Sequence, residues 1–147
     1  MSVIISLASA DDAPAFAQIA AQGTFAARWT AVAFADEIAQ NAARVFKARA
    51  DSGGIAGFIA FRFVPPAAEL TNFAVAQNFL RRGAGTALLT YGLDFLRKNG
   101  VEELTLEVNV NNLAAAALYK KFNFKQTAVR KKFYNNSDDA LVMKAVL

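Results

Sequence analysis

Apolar and polar positions alternate along the chain with two different periods. Alternation at period two predicts strands at residues 3–7, 44–50, 55–64, 69–76, 101–108, 125–134 and 140–147. In the fifth of these, Leu104, Leu106 and Val108 point to one face, and Thr105, Glu107 and Asn109 point to the other. Ser52-Gly53-Gly54 predicts a hairpin turn, and Pro65-Pro66 ends the strand before it.

Helical spacing fills the segments between these strands. A first helix follows Asp11 or Asp12 as N-cap, with Pro14 in its first turn, and a second runs from the N-cap Thr30 to about residue 40. A third spans 83–98, with Ala84, Leu88, Tyr91 and Phe95 predicted on its buried face and Gly100 after its end. A fourth runs from the N-cap Asn111 or Asn112 to residue 121. The order β-α-α-β-β-β-α-β-α-β-β predicts an α/β fold with a mixed sheet between helices.

Composition narrows the possible chemistry. The 147 residues are 55% apolar and lack a Pro- or Ser-rich linker, which predicts one domain over 1–147. Without Cys or His, a structural zinc site, a disulfide, a Cys nucleophile and a His base are excluded, and no metal is expected. The net charge of +4 suits an anionic ligand, but the scattered basic residues argue against direct nucleic-acid binding.

The N-terminal region gives no sign of export or membrane insertion. The longest charge-free run near the start, 13–27, is shorter than the ~20 residues of a membrane span and contains Pro14. The first residues lack a basic region and carry Asp11 and Asp12, which argues against a signal peptide. The expected location is therefore the cytoplasm.

Two glycines stand where the fourth strand gives way to the third helix. Gly83 and Gly85 would let a ligand approach unpaired amides at a helix N-terminus, where phosphate groups bind well. The turn is neither a Walker loop, since no G-K-[ST] follows, nor a Rossmann fingerprint, since the third glycine is missing. A tight turn without a ligand would explain the same two glycines equally well.

Longer stretches resemble a known family. F-A-V-A-Q-N-F-L-R-R-G-A-G-T-A-L-L, followed by T-L-E-V-N-V-N-N-L-A-A-A-A-L-Y-K-K-F-N-F, resembles the acetyl-CoA-binding core of the GNAT acetyltransferases. L-T-N-F-A-V, A-L-Y, V-R-K-K-F-Y, R-W-T and D-A-L-V-M are similar to the RimI-type branch, which acetylates an N-terminal alanine of small-subunit ribosomal protein eighteen. The resemblance covers nearly the whole chain and implies a GNAT-like single domain with a mixed, mostly antiparallel sheet flanked by about four helices.

The resemblance also assigns roles to residues. It implies that Glu107 is the base and that Tyr119 protonates the departing sulfur. The co-substrate acetyl-CoA would lie against the backbone of Phe73, Ala74 and Val75 and against Asn112. Its diphosphate would bind the amides of Arg81, Arg82, Gly83, Ala84, Gly85 and Thr86. The acceptor side is assigned to Trp29, Asn72, Arg130 and Tyr134.

Independent arguments support parts of this assignment. Asn112 and Tyr119 are seven residues apart, so they share a helix face at roughly 10 Å. A tyrosine with a pKa of about 10 is protonated at neutral pH and can act as an acid. Alternation alone makes Glu107 a solvent-facing side chain, and Tyr119 can equally be an aromatic packed under the sheet. Without Cys or His, direct attack by the amine is simpler than a covalent acetyl-enzyme.

Three positions depart from the family pattern. Leu80 stands where the signature has Gln or Arg, so Arg81 or Arg82 would have to substitute for that side chain. Asn123 stands before Phe124 where the family has Gly. Among residue types, Asn is second only to Gly in tolerating a left-handed backbone. Asn109 stands where the branch carries Arg, and this change bears on peptide specificity.

The acceptor amine remains open between three hypotheses. Deprotonating a protein α-amine, with a pKa near 7.7–8.0, costs about 1 kcal/mol at neutral pH, whereas a lysine costs more than about 4 kcal/mol. A single partly exposed Glu suits the easier case, which favours a protein N-terminal acetyltransferase. The alternatives are a GNAT enzyme acting on a small-molecule amine or a lysine, and a non-catalytic acyl-CoA-binding module.

Overall fold

A seven-stranded sheet with four helices forms the protein. The computed structural model describes residues 2–23, 25–134 and 137–147. The strands are β1 Val3–Leu7, β2 Ala43–Ala50, β3 Ile55–Val64, β4 Ala67–Val75, β5 Glu103–Asn109, β6 Lys125–Tyr134 and β7 Asp138–Val146. The helices are α1 Ala13–Gln22, α2 Ala31–Ile38, α3 Ala84–Lys98 and α4 Leu113–Lys121, with 3₁₀ turns at Ala10–Asp12 and Gln77–Phe79. In this described part of the chain, every helix is too short or too polar to cross a bilayer.

The strand order is β1-β2-β3-β4-β5-β7-β6, and every neighbouring pair is antiparallel except β4 with β5. This confirms the predicted mixed, mostly antiparallel sheet. The central strands are buried on both faces. Phe46, Ile59 and Phe61 belong to a core with α3, whereas Val45 and Phe58 belong to a second core with α1 and α2. Burial on both faces explains why β3 is almost wholly apolar.

Local signals placed several element ends correctly. Thr30 caps α2, since its hydroxyl accepts a hydrogen bond from the Ala33 amide at 3.1 Å, and Asn112 caps α4 in the same way through Ala115 at 3.3 Å. Gly100 and Asn123 have φ angles of 83° and 67°, as expected for residues that end a helix in the left-handed region.

Two details of the predicted helices were wrong. Helix α2 ends at Ile38, two residues earlier than predicted. Tyr91 is 43% exposed, because the buried stripe of α3 runs through Leu88, Gly92 and Leu96 instead. Gly92 sets this stripe, since a Cβ there would lie 2.5 Å from two ring carbons of Phe61.

Asp12 precedes α1 but does not cap it with its side chain. Its carboxylate accepts hydrogen bonds from the Ser9 amide and from Lys47 Nζ, both at 2.9 Å. Burial acts to raise the pKa of Asp12, but these hydrogen bonds and the charge of Lys47 outweigh it and lower the pKa below its usual value. The residue therefore ties the start of α1 to β2.

Strands β4 and β5 pair over three residues and then separate. The parallel register joins Ala67 to Glu103 and ends where Glu69 meets Thr105, although both strands continue. Just beyond this point β4 has a bulge: Asn72 pairs with Ala60 and Leu70 with Phe61, so Thr71 is an extra residue. Because a bulge bends its strand, β4 turns away from β5 and a gap opens in the middle of the sheet.

Candidate active site

A cleft of ≈ 1210 Å³ lies where β4 and β5 separate. Its walls are the ends of these two strands, the first turn of α3, helix α4, the segment before α2, and strands β6 and β7. Among the predicted residues, Asn72, Phe73, Ala74, Val75, Gly85, Glu107, Asn112, Tyr119 and Arg130 line it. Residues far apart in sequence thus meet at one gap in the sheet.

Helix α3 begins at the edge of this cleft. Gly83 has a φ of 87° with open space where a Cβ would project, so its backbone conformation accounts for the glycine. The first hydrogen bond of the helix joins the Ala87 amide to the Gly83 carbonyl at 3.0 Å. The amides of Ala84, Gly85 and Thr86 therefore precede the hydrogen-bond ladder of the helix.

The side chains of this turn differ in position. Gly85 and the half-exposed Leu80 line the cleft, whereas Arg81, Arg82 and Thr86 are exposed and Ala84 is buried. The two arginines stand outside the cleft beside the start of α3, so their positive charges lie near the positive end of the helix dipole.

Glu107 projects from β5 into the cleft and forms an ion pair with β6. Its Oε1 lies 3.2 Å from Nε of Arg130, and the two side chains are 28% and 58% exposed respectively. The guanidinium of Arg130 also lies 5.5 Å from the ring centroid of Phe133. Arg130 is therefore held by two contacts beside the predicted base.

Tyr119 lies on α4 and lines the same cleft as Glu107. The side chain is buried, with its ring centroid 5.5 Å from that of Phe124 and 6.4 Å from that of Phe73. Asn112 lines the same cleft at the start of α4, where its side-chain oxygen caps the helix. The Tyr119 ring thus belongs to the core, and the residue also lines the cleft.

Two buried asparagines fix the cleft walls. The Asn72 side chain donates to the Ala27 carbonyl at 3.0 Å, and this bond holds the segment before α2 over β4. Asn109 donates to Asp138 at 3.0 Å and accepts from the Asn111 amide at 2.9 Å. Asn109, the departure from the family pattern, therefore joins the end of β5 to β7.

Some predicted acceptor residues are placed elsewhere. Trp29 packs on Phe34, with ring centroids 5.2 Å apart, and belongs to the core beneath α2 rather than to the cleft lining. The ring is partly buried there, and the acceptor role of Trp29 stays a prediction. The side chain of Tyr134 lies outside the described part of the structure.

Other cleft residues were missed by the sequence analysis. These are Phe25, Arg28, Glu69, Thr71, Phe133 and Asp138. Arg28, Thr71 and Phe133 lie within the R-W-T, L-T-N-F-A-V and V-R-K-K-F-Y stretches, but no role was assigned to them. Phe25, Glu69 and Asp138 lie outside every quoted motif. In the described ranges no cluster of three or more acidic side chains is arranged to hold a metal ion.

Comparisons with known proteins agree with this geometry. A model of the acetyltransferase (GNAT) family matches residues 13–124. The chain belongs to the GNAT family. This confirms the resemblance found in the sequence.

Individual relatives of this GNAT protein carry one recurring name. This protein is 35% identical over 142 residues to the ribosomal protein bS18-alanine N-acetyltransferase of Salmonella typhimurium, and the match covers 95% of this chain and 94% of that one. The protein of the same name from Escherichia coli K12 is 39% identical over 95 residues, which are 63% of this chain and 64% of the relative. The match thus spans just under two thirds of that relative's length.

A solved structure extends the comparison to the fold. The crystal structure of the ribosomal-protein-S18-alanine N-acetyltransferase from Escherichia coli superposes with a TM-score of 0.89 at 31% identity, over 99% of this chain and 94% of that one. The overall fold therefore matches that of this solved structure.

Proposed function

We propose that this protein transfers the acetyl group of acetyl-CoA to the N-terminal α-amine of a protein, and that the acceptor is the N-terminal alanine of ribosomal protein bS18. One observation carries the proposal: the gap between β4 and β5 brings Glu107, Tyr119 and the start of α3 to a single cleft. The names of the similar proteins support the acceptor. A ribosomal acceptor would place the protein in the cytoplasm.

The residues at the cleft fit acetyl-CoA. The amides of 84–86 and the positive end of the α3 dipole suit its diphosphate, with Arg81 and Arg82 adding positive charge nearby. Beyond Glu69 the edge of β4 faces the gap rather than β5, so the backbone of 73–75 can pair with the amide groups of the pantetheine arm. Acetyl-CoA supplies a thioester, the activated acyl group of the reaction.

Glu107 and Tyr119 supply the proton transfers. A new C–N bond forms as the amine attacks the thioester carbon, and the C–S bond breaks. Glu107 accepts the proton that the amine loses, directly or through one water, and Tyr119 donates a proton to the departing sulfur. Because the sequence contains no Cys or His, direct transfer between two bound substrates is the route these residues support.

Arg130 restricts which acceptor fits. Its guanidinium lies beside the carboxylate that receives the proton, so an additional cation such as a protonated lysine side chain meets a partly neutralised site. A neutral α-amine is available at far lower cost than a neutral lysine at the same pH. The ion pair and the amine chemistry therefore both favour an N-terminal acceptor.

Peptide acetylation followed by mass spectrometry tests the acceptor. A peptide with the N-terminal sequence of bS18 is compared with the same peptide blocked at its N-terminus and with a lysine-containing peptide of equal charge. We expect acetylation at the free N-terminus alone. Equal turnover of the blocked peptide would support lysine acetylation instead, and acetyl-CoA binding without acetylation of any amine would support a non-catalytic binding module.

Two variants with matched controls test the catalytic roles. We expect Glu107→Gln and Tyr119→Phe each to lower kcat about 10²–10⁴-fold, the range typical of a lost general base or acid. Glu103→Gln breaks a similar ion pair on the same strand, with Lys144 at 3.0 Å, and Tyr91→Phe removes a half-exposed hydroxyl from α3. Both controls should retain activity; equal losses in a variant and its control would remove the assignment.

A further inference from the structure

Strand β6 contains a bulge of three residues beside the cleft. Its register with β7 passes from Arg130 opposite Ala140 to Tyr134 opposite Asp138. Residues 131–133 of β6 therefore lie opposite the single residue Asp139. Because three residues of β6 lie opposite one residue of β7, the backbone of β6 bends away from its partner strand over this segment.

The bulge contains a backbone conformation that is unfavourable for its residue. Lys132 has a φ of 51°, in the left-handed region that residues with a Cβ adopt at a cost. Such conformations persist where the surrounding contacts hold them, and they are concentrated at functional sites.

Asp139 provides those contacts. Its Oδ1 accepts the Lys132 amide at 2.8 Å, and its Oδ2 lies 3.6 Å from Nζ of Lys131. The side chain of Asp139 is 29% exposed, whereas that of Lys131 is 83% exposed. The backbone hydrogen bond is thus the better protected of the two contacts.

The bulge determines which side chains reach the cleft. Arg130 and Phe133 stand at its two ends, and the turn between them brings the guanidinium over the ring at 5.5 Å. Both residues line the cleft, and Arg130 also pairs with Glu107. A regular strand would place residues three apart on opposite faces, so this contact depends on the bulge.

We propose that Asp139 is a positioning residue for the acceptor: by holding the left-handed bulge at 131–133, it places Arg130 and Phe133 together at the acceptor side of the cleft. This inference rests on the proposed function for the identity of the acceptor. Asp139 itself does not line the cleft, and the acetyl-CoA side is built by β4, α3 and α4, away from the β6 bulge.

The test separates the two substrates kinetically. In Asp139→Ala we expect the KM for the acceptor peptide to rise about tenfold, the effect of a competent bulge that is about one-tenth populated. Affinity for acetyl-CoA should stay within about twofold, since its site is built elsewhere. Asp94→Ala, which removes an exposed carboxylate paired with Lys98 on α3, is the control and should leave both values unchanged.

Two further variants distinguish positioning from general loss of structure. Asp139→Asn keeps a side-chain oxygen for the Lys132 amide and should raise the peptide KM by no more than about threefold. Lys132→Gly in the Asp139→Ala background removes the cost of the left-handed conformation and should recover part of the lost affinity. Hydrogen exchange at the Lys132 amide should accelerate in Asp139→Ala and not in Asp94→Ala.

The outcomes that overturn the proposal are distinct from failure of the proposed function. With an active wild type, an unchanged peptide KM in folded Asp139→Ala would overturn it, as would an equal loss of acetyl-CoA affinity or no recovery with Lys132→Gly. If the wild type acetylates no peptide, the proposed function fails and the acceptor role fails with it. Hydrogen exchange then still reports on the bulge.

Discussion

Substituting Gly85 with Ala should change protein stability and acetyl-CoA affinity in opposite directions. Gly85 is the second residue of α3 and lines the cleft. A Cβ added there would lie 3.5 Å from Val75 Cγ2, 3.6 Å from Phe73 Cζ and 3.9 Å from Leu118 Cδ2, all ordinary contacts. The Gly85→Ala methyl group therefore fits the protein while projecting between side chains that line the cleft.

The expected magnitudes follow from this placement. Alanine is favoured over glycine in a helix by about 1 kcal/mol, and the first turn realises only part of this, so Gly85→Ala should leave stability unchanged or raise it by up to about 1 kcal/mol. If the pantetheine arm lies against β4, the same methyl overlaps it. Overpacking of this kind costs about 1–3 kcal/mol, equivalent to a loss of roughly fivefold to more than a hundredfold in acetyl-CoA affinity.

Calorimetric titration with acetyl-CoA and thermal unfolding without ligand measure the two effects. Gly23→Ala is the matched control, since its Cβ would lie 4.0 Å from Ala26 and Gly23 does not line the cleft. We expect weaker binding in Gly85→Ala alone, with no loss of thermal stability in the absence of ligand. Unchanged affinity in Gly85→Ala would refute close approach of the co-substrate to this backbone and with it the placement along β4.

Three further predictions concern folding and are checked by urea denaturation. Gly92→Ala should destabilise the protein by about 1–3 kcal/mol, because its methyl would meet the buried ring of Phe61 at 2.5 Å; a loss below about 0.5 kcal/mol would show that α3 can shift freely. Gly83→Ala should cost about 1–2 kcal/mol through its φ of 87° alone, and Gly83→Asn should cost less. Because the pKa of Asp12 is lowered by folding, its ion pair with Lys47 stabilises the protein above about pH 4, and this contribution is lost as the pH falls through the lowered pKa. The free energy of unfolding of Asp12→Asn should therefore be about 1–3 kcal/mol lower than that of the wild type at pH 7, and this difference should shrink below about pH 4. A difference that does not depend on pH would contradict a stabilising role for the ionised Asp12 carboxylate.

Part of the active site was visible in the sequence because it depends on short motifs. L-E-V and A-L-Y mark Glu107 and Tyr119, and the structure brings both to one cleft. Their catalytic roles stay predictions, as does the binding of a diphosphate at the α3 amides. Trp29 is not among the residues that line the cleft, and its assignment to the acceptor side also stays a prediction.

The sequence by itself determined what local interactions control. The order of strands and helices follows from periodicity, the caps at Thr30 and Asn112 from side-chain oxygens that reach nearby amides, and the turn at Gly83 from a backbone that disfavours a Cβ. Only the tertiary structure decided where β4 leaves β5, that Arg130 pairs with Glu107, and that Asp139 holds the β6 bulge. These features join residues from different strands, and their geometry is set by sheet register and packing, which no local pattern encodes.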